Sequence, residues 1–373
     1  MTVFRIDGFE TYGGGTTSNA DIESHIGATL QTTHNIVSGG LSGNKSLVSA
    51  ETGLALQYPT LGSAQGDFIT YEFPDGSYRH KNLKVSTNSS IDEIVCGFRI
   101  YIPNITDNQD VTLFQNLTGV TTVATTVSIL GGTGMRVRDA SSTNHDVTGV
   151  LTKGQWHYIE VEYKMTDAAG GGFMKVYVDG TQQIDTGNVS IASFSFFAQY
   201  GCRLGVQATS NQLDTSENYR LDDVYILWED GVINTGPLGE CKVVPLQPDA
   251  DATPNDWTPS AGSDNWDMVN GQGWDTATYV DGSSGNDDHY TTEDLSGADT
   301  VHAVQFTTIL EGVTSASDLH LGCDNGTADE QDMGSIATGT GGVSIHQCHE
   351  TDPSGAAWTQ SSVNSVESTQ RVV

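Results

Sequence analysis

Short stretches in which apolar and polar residues alternate dominate this chain, and no segment keeps a convincing helical period over three turns. The clearest alternation covers residues 156–163, where Glu160 and Glu162 fall on one face and odd-numbered apolar residues fall on the other. Each such stretch predicts a β-strand. Further strands are predicted at residues 4–9, 68–73, 97–102, 111–114, 123–130, 135–138, 173–178 and 221–228.

Turn sequences, rather than crossover helices, separate the predicted strands. Asp179-Gly180 follows a strand-like run, and this dipeptide is typical of a two-residue β-hairpin. Many strands without crossover helices favour antiparallel pairing, so we predict an all-β fold that begins with an antiparallel jelly-roll sandwich. The 43 glycines and 36% hydrophobic residues of the 373-residue chain agree with short strands joined by turns.

The charged residues divide the chain into two unequal parts. From Val243 to Gln370 there are 21 Asp and Glu residues and no Lys or Arg, and the whole chain carries a formal charge of −32. A region without cations lacks the side chains that bind phosphate, which argues against nucleic acid as a partner. We therefore predict two domains, a sandwich at residues 1–235 and a smaller acidic β domain at residues 236–373.

The acidic part has the apolar content of a folded domain rather than of a disordered tail. Its clearest predicted strand lies within residues 301–310, and shorter ones cover residues 319–321 and 343–345. These strands either bury a core of their own or pack against a neighbouring subunit, and the sequence is compatible with both arrangements. The aromatic residues available for such a core are Trp257, Trp266, Trp274, Tyr290 and Trp358.

Three segments of the first domain resemble laminin G-like and concanavalin A-like jelly rolls. They are GQWHYIEV at residues 154–161, VYVDG at residues 176–180 and LDDV at residues 221–224. The resemblance covers roughly residues 1–235 and implies a concanavalin A-like sandwich there. It implies nothing definite about activity, because this fold hosts many functions.

A narrower resemblance is to bacteriophage virion proteins of this lectin-like class. It is carried by IDGFETY at residues 6–12, GECKVVPLQPDAD at 239–251, WTP at 257–259 and GAAWT at 355–359. The resemblance implies a non-enzymatic structural component on a phage particle, with a head decoration or spike docked through the lectin-like domain as the first choice. The alternative is a tail- or fibre-associated carbohydrate-binding adhesin for host attachment, and a glycanase is the third.

Partners and location follow from the same resemblance. It implies other virion proteins of the capsid or tail, further copies of the chain in a homo-oligomer, and host surface glycan. It also implies a virion location after folding in the host cytoplasm. No apolar run of 18 residues and no basic, apolar leader occur, so we predict neither a membrane span nor a signal peptide, and we expect free thiols.

Glu160 and Glu162 are the one carboxylate pair with the pattern of a glycosidase. Two positions apart on a strand face, they loosely meet the about 5–5.5 Å separation of retaining enzymes. The glucanase signature of this fold has a third acid, which the run at residues 160–164 lacks. We therefore interpret both glutamates as solvent-facing strand residues and expect no enzyme and no catalytic residues.

Three groups of residues are candidate metal ligands. Asp222 and Asp223 are candidates for Ca²⁺ at the rim of the sandwich, although calcium takes six to eight oxygens from several loops. The acidic loop at residues 281–288 is a second candidate, for which a solvated turn is the simpler interpretation. A third candidate combines histidines and cysteines whose spacing matches no standard zinc motif. These are His320, Cys323, His346, Cys348 and His349.

Overall fold

The computed structural model describes residues 2–7, 35–38, 54–57, 66–72, 93–104, 110–117, 123–164, 171–189, 201–208, 219–228, 233–271, 277–310, 317–336 and 343–373. These residues form two compact units, and the chain passes from one to the other between Val243 and Val244. Within the described ranges, strands greatly outnumber helices and every strand pair is antiparallel. The predicted all-β antiparallel fold is therefore confirmed.

The first unit is a jelly-roll sandwich of two sheets. Its strands are β1 (Thr2–Asp7), β2 (Asn35–Ser38), β3 (Leu54–Gln57), β4 (Gly66–Glu72), β5 (Glu93–Ile102), β6 (Val111–Leu117), β7 (Val123–Leu130), β8 (Gly134–Arg138), β9 (Asn144–Val147), β10 (Gln155–Lys164), β11 (Phe173–Val178), β12 (Thr181–Asp185), β13 (Gly201–Ala208) and β14 (Arg220–Trp228). One sheet has eight strands in the order β12-β11-β10-β5-β14-β3-β2, with β1 also paired to β14. The other has six, in the order β4-β13-β6-β7-β8-β9.

Apolar side chains between these two sheets form the core of the first unit. The odd-numbered residues Ile159, Val161 and Tyr163 of β10 are fully buried. The ring of Tyr163 packs against Phe114 of β6, with ring centroids 5.6 Å apart. Burying each such apolar side chain contributes about 1.5–3 kcal/mol. Because side chains alternate along a strand, the even-numbered residues of β10 lie on the outer face of the eight-stranded sheet.

The predicted Asp179-Gly180 hairpin joins β11 to β12. Both residues have left-handed backbone angles, with φ of 49° at Asp179 and 75° at Gly180, as a two-residue turn of this kind requires. The Asp179 carboxylate accepts a hydrogen bond from the backbone N–H of Tyr158 at 2.8 Å. The turn is therefore fastened to β10 as well as to its own two strands.

The second unit contains the remaining strands and two short helices. They are β15 (Pro248–Asn255), β16 (Thr258–Pro259), α1 (Trp266–Val269), β17 (Val280–Asp281), β18 (Asp287–Thr292), β19 (Val304–Leu310), β20 (Ser317–Asp324), β21 (Ala328–Ile336), β22 (Val343–His349), α2 (Gln360–Val363) and β23 (Glu367–Val372). The largest sheet has the order β15-β18-β23-β20-β21. Two further pairs, β16 with β17 and β19 with β22, complete the strand pairing described for this unit.

A hydrophobic core lies within the second unit itself. It consists of Phe306, Leu319, Leu321, Cys323, Met333, Ile345, Trp358, Val363 and Val366. Trp257 packs against this core while partly exposed, whereas Trp274 lies outside the described residues. Of the two arrangements left open by the sequence, the structure therefore contains the first, a core buried within the acidic unit. No helix among the described residues is both long and apolar enough to cross a membrane.

Candidate functional site

The outer face of the eight-stranded sheet concentrates charged and phenolic side chains. Directly paired residues of antiparallel strands share a face, so the strand register identifies the members of this group. They are Glu93 and Arg99 on β5, Tyr158, Glu160, Glu162 and Lys164 on β10, Lys175 and Tyr177 on β11, and Asp223 and Tyr225 on β14. We call this set the outer-face cluster.

One half of the outer-face cluster is closed by residues 238–243, which we call the covering segment. The backbone N–H of Gly239 donates to Oε1 of Glu160 at 2.8 Å, and the Tyr225 hydroxyl donates to the same oxygen. The N–H of Leu238 in turn donates to the Tyr225 hydroxyl oxygen at 3.1 Å. Glu160 is only 1% exposed, and its burial raises its pKa although these hydrogen bonds oppose the shift. The prediction that Glu160 faces solvent is wrong, because the chain returns over it.

Arg99 fastens the same segment to the sheet. Its Nε lies 3.1 Å from Oδ2 of Asp223, and its Nη2 lies 3.2 Å from Oε1 of Glu240. Nη2 also donates to the carbonyl oxygen of Cys241 at 3.3 Å. The N–H of Val243 donates to Oδ1 of Asp223 at 2.9 Å. Charged groups of the sheet thus contact backbone and side-chain groups of the covering segment, although Arg99 Nε and Asp223 Oδ2 form an ion pair without a hydrogen bond.

The two aspartates predicted as calcium ligands lie at this closed end. Asp222 and Asp223 are 1% and 2% exposed, and Oδ1 of Asp222 accepts the N–H of Asp223 at 2.8 Å. Burial raises the pKa of Asp223 to about 6, against the opposing charge of Arg99. The structure gives Asp223 an ion pair and a backbone hydrogen bond, and its calcium role stays a prediction.

The other half of the outer-face cluster is half-open and is centred on Glu162. Lys175 Nζ donates to Oε1 of Glu162 at 2.9 Å, and the Tyr177 hydroxyl donates to Oε2 at 2.8 Å. The Lys175 side chain is 26% exposed, whereas that of Glu162 is 8% exposed. Glu162 is therefore buried rather than solvent-facing as predicted, but the groups around it reach the surface.

A second carboxyl group contacts Glu162 from the neighbouring strand. Glu93, at the start of β5, interacts electrostatically with Glu162 and has a side chain that is 25% exposed. Burial and then the charge of Glu162 raise the pKa of Glu93, although Lys164 and Lys175 oppose this. Nζ of Lys164 lies 3.7 Å from Oε2 of Glu93. Two carboxyl groups in contact favour a state in which one keeps its proton and the other is ionised.

This pairing was missed by sequence reasoning, which linked Glu162 to Glu160. Residues 93 and 162 meet only because β5 and β10 pair with Glu93 opposite Lys164 and Val95 opposite Glu162. Both strands were predicted, but alternation within each strand leaves their mutual register undetermined. Aromatic surface flanks the pair, since Nζ of Lys175 lies 4.4 Å from the ring centroid of the half-buried Phe173.

The histidine and cysteine candidates of the second unit have other partners. Nδ1 of His346 lies 3.0 Å from Oγ1 of Thr307, and Nδ1 of His349 lies 3.1 Å from Oδ2 of Asp329. Among the described residues, one group of three potential ligands converges closely enough to bind a single ion. That group contains none of the five predicted histidines and cysteines. Its members are Asp287, His289 and Glu330.

Comparisons with known proteins give weak structural similarities only. No family model and no curated protein matches this sequence. The endo-β-1,4-glucuronan lyase from the fungus Trichoderma reesei matches with 14% identity and a TM-score of 0.36, over 53% of this chain and 89% of that chain. The alginate lyase vAL-1 from Chlorella virus matches with 12% identity and a TM-score of 0.33, over 48% and 87%. The botulinum neurotoxin serotype D binding domain matches with 12% identity and a TM-score of 0.31, over 52% and 43%.

These matches contradict two expectations drawn from the sequence. The prediction of a non-enzymatic phage component, whether head decoration, spike or host-attachment adhesin, is wrong, because the matched structures include polysaccharide lyases and a toxin domain and indicate no virion role. The expectation that the chain is not an enzyme is contradicted by the same lyases. The sandwich motifs identify a fold that many functions share, so they do not indicate which of those functions this chain has. At these TM-scores the matches assign no activity to this chain.

Proposed function

We propose that the first unit is an enzyme that hydrolyses glycosidic bonds of a polysaccharide, with Glu93 and Glu162 as its acid/base pair. The observation that carries this proposal is the interaction of these two carboxyl groups on the paired strands β5 and β10, at the half-open end of the outer-face cluster. Cleavage of an acetal by general acid/base catalysis uses one protonated and one ionised carboxyl group. Neighbouring acids whose surroundings give them different pKa values are typical of acid/base catalytic pairs rather than of ordinary surface acids.

The neighbours of each glutamate define its role. Lys175 and Tyr177 donate to both oxygens of Glu162, so an ion pair and a hydroxyl hydrogen bond hold this carboxyl group in place. Glu93 has the raised pKa, and Nζ of Lys164 lies 3.7 Å from its Oε2, farther than Lys175 lies from Glu162. Glu93 therefore donates its proton to the leaving oxygen as the glycosidic bond breaks, and Glu162 stabilises the positive charge that develops on the sugar ring or bonds to it. Water, deprotonated by the Glu93 carboxylate, then adds to the sugar and completes the hydrolysis.

The pair must open for a sugar to enter. Retaining glycosidases hold their two carboxyl groups about 5–5.5 Å apart, so that a sugar ring fits between them. Glu93 begins its strand and is 25% exposed, so a rotamer change can move its carboxyl group away from Glu162. Glu162 stays fixed by Lys175 and Tyr177. The resulting gap lies at the half-open end of the outer-face cluster beside Phe173, and we propose that it binds a chain of sugar rings.

The charges of the site favour hydrolysis over elimination. Elimination at a uronate requires a cation to neutralise the sugar carboxylate, but Lys175 is paired with Glu162 and Lys164 with Glu93. The formal charge of −32 on the chain also repels polyanions at low salt. We therefore propose a neutral polysaccharide as the substrate class.

The test is an activity screen of the full chain against neutral and uronate-containing polysaccharides, scored for new reducing ends and for unsaturated products. Wild type is expected to release reducing ends from a neutral polymer without unsaturated products. Glu162→Gln is expected to lower this rate by about 10²–10⁴-fold. Asp146→Asn, which removes a carboxylate paired with Arg136 on the other sheet, is the matched control and should retain the rate. No cleavage by wild type, cleavage that survives Glu162→Gln, or unsaturated products would each contradict the proposal.

A further inference from the structure

Four residues of the five-stranded sheet stand in one row across its strands. His289 on β18 pairs with Thr369 on β23, Thr369 pairs with Gly322 on β20, and Gly322 pairs with Glu330 on β21. Three strand spacings separate the ends of this row by about 14 Å at the backbone. Of the two middle positions, Thr369 carries a small side chain and Gly322 carries none. The long side chains of His289 and Glu330 can therefore lean toward each other over the sheet.

Asp287 completes a group of three whose ligand atoms converge. One ligand atom from each of Asp287, His289 and Glu330 lies within 4.8 Å of the other two. His289 is 4% exposed. Its Nε2 lies 3.2 Å from Oδ1 of Asp287, yet neither atom makes a hydrogen bond in this geometry. Two buried polar atoms in contact but misaligned with each other are positioned to share a third partner.

The second ring nitrogen of His289 has the partner that a metal-bound histidine usually has. Nδ1 lies 3.1 Å from Oε2 of Glu367. A carboxylate at this position holds the proton on Nδ1 and leaves the lone pair of Nε2 directed at Asp287 and Glu330. The arrangement of carboxylate, imidazole and cation is the usual outer support of protein metal sites.

The local charge balance also calls for a cation. Asp287, Glu330 and Glu367 contribute three negative charges, and Arg371, with Nη2 2.5 Å from Oε2 of Glu330, contributes one positive charge. With neutral His289 the group carries a net charge of −2, which a divalent ion would cancel. Residues 243–370 contain no Lys or Arg, so Arg371 is the only cation that the second unit places beside these acids among its described residues.

We propose that Asp287, His289 and Glu330 bind a divalent transition-metal ion, with Zn²⁺ as the best fit, and that Glu367 orients His289. One imidazole nitrogen and two carboxylates suit Zn²⁺ better than Ca²⁺, which prefers six to eight oxygens. Three protein ligands leave a fourth position of a tetrahedral zinc for water or another ligand. This site is independent of the proposed glycosidase pair and of the aspartates at residues 222 and 223.

Calorimetric titration of the metal-stripped full chain with ZnCl2 tests the proposal. We expect one equivalent of Zn²⁺ to bind, with much weaker binding of Ca²⁺. His289→Gln and Glu330→Gln should weaken Zn²⁺ binding by at least about 100-fold, and Glu367→Gln by about 10–100-fold. His302→Gln, in the same unit but outside the group, is the control and should bind as wild type does. Absence of binding, or unchanged binding in His289→Gln and Glu330→Gln, would overturn the proposal.

A second measurement needs no variant and so does not depend on whether the variants fold. Co²⁺ bound to wild type in place of Zn²⁺ should show weak visible bands of nitrogen and oxygen ligation, without the intense near-ultraviolet band of a thiolate ligand. An intense thiolate band would instead show that the metal binds a cysteine such as Cys323 or Cys348, and would overturn the assignment.

Discussion

The ring of Tyr225 lies over Gly97, in the space that a side chain at residue 97 would occupy. Position 97 is opposite Glu160 in the pairing of β5 with β10. The missing side chain lets the Tyr225 hydroxyl reach Glu160 and accept the N–H of Leu238 at 3.1 Å. The absence of a side chain at Gly97 thus allows the covering segment to pack over half of the outer-face cluster.

Gly97→Ala is expected to destabilise the first unit by about 1–3 kcal/mol, because the new methyl group must displace the Tyr225 ring and its hydrogen bonds. Unfolding in urea measures the change. Gly236→Ala is the matched control, since a Cβ at Gly236 meets nothing within 4 Å. Equal stability of the two variants would show that the Tyr225 contact does not hold the covering segment.

A pH-dependent ion pair is expected between His157 and Asp179. Burial lowers the pKa of His157, but its hydrogen bond to Asp179 and the charge of that group raise it by more, so the net shift is upward. Nδ1 donates to Oδ2 of Asp179 at 2.8 Å, whereas Nε2 accepts the Thr152 N–H at 2.9 Å in the neutral ring and donates to the Thr152 carbonyl oxygen at 3.1 Å in the protonated ring. The stabilisation is therefore complete below the unfolded pKa of about 6.5 and is lost as the pH rises through the folded pKa.

The stability difference between wild type and His157→Gln should accordingly be larger at about pH 5 than at about pH 8. Urea unfolding at both pH values measures it. His145→Gln, on the other sheet, corrects for the general effect of removing a histidine. A difference that is the same at both pH values would contradict the assigned ion pair.

A buried amide network should be essential to the second unit. Nδ2 of Asn265, a residue that is 1% exposed, donates to the carbonyl oxygen of Trp257 at 2.9 Å and to Oδ1 of Asp288 at 3.0 Å. Asp288 is fully buried and also accepts from the hydroxyl of Tyr290. Asn265→Ala leaves these acceptors without their donor and should cost about 1–3 kcal/mol. Thermal unfolding measures the loss of stability, with Asn325→Ala, at an exposed turn, as the control. Equal losses in the two variants would contradict the predicted role of Asn265.

Limited digestion with trypsin tests the exposure of the chain around Lys242. Lys242 is exposed and lies in the irregular stretch before β15, whereas Arg371 lies in β23 and pairs with Glu330. We expect an early cut after Lys242 and a persistent fragment from Val243 to the C-terminus, because residues 243–370 contain no site for trypsin. Mass spectrometry identifies the fragment. A population of whole chains that resists cleavage after Lys242 would contradict the exposure of this segment.

Local patterns in the sequence predicted 12 of the 23 described strands and missed others, among them β13, β18, β21 and β23. Alternation identified β10 and assigned Glu160 and Glu162 to the face opposite Val161, and Asp179-Gly180 identified the hairpin. Both features depend on neighbours only a few residues apart, so the sequence reports them directly.

Contacts between distant residues were not predictable in the same way. The burial of Glu160 depends on Gly239, which is 79 residues away in the chain. The pairing of Glu93 with Glu162, and the row that joins His289 to Glu330, depend on strand register. Register is set by the packing of whole sheets and leaves no signature within one strand. The candidate sites therefore became visible only once the strands were paired.

The central claim is that Glu93 donates a proton to the leaving oxygen, and the pH profile of kcat/KM tests it most directly. Because burial and the charge of Glu162 raise the pKa of Glu93 above its ordinary value of 4.5, the rate should fall only as the pH rises through that higher value. Glu93→Gln should lower the rate on a polysaccharide by about 10²–10⁴-fold and remove this falling limb. If Glu93→Gln keeps both the falling limb and the rate of the wild type, the claim is contradicted.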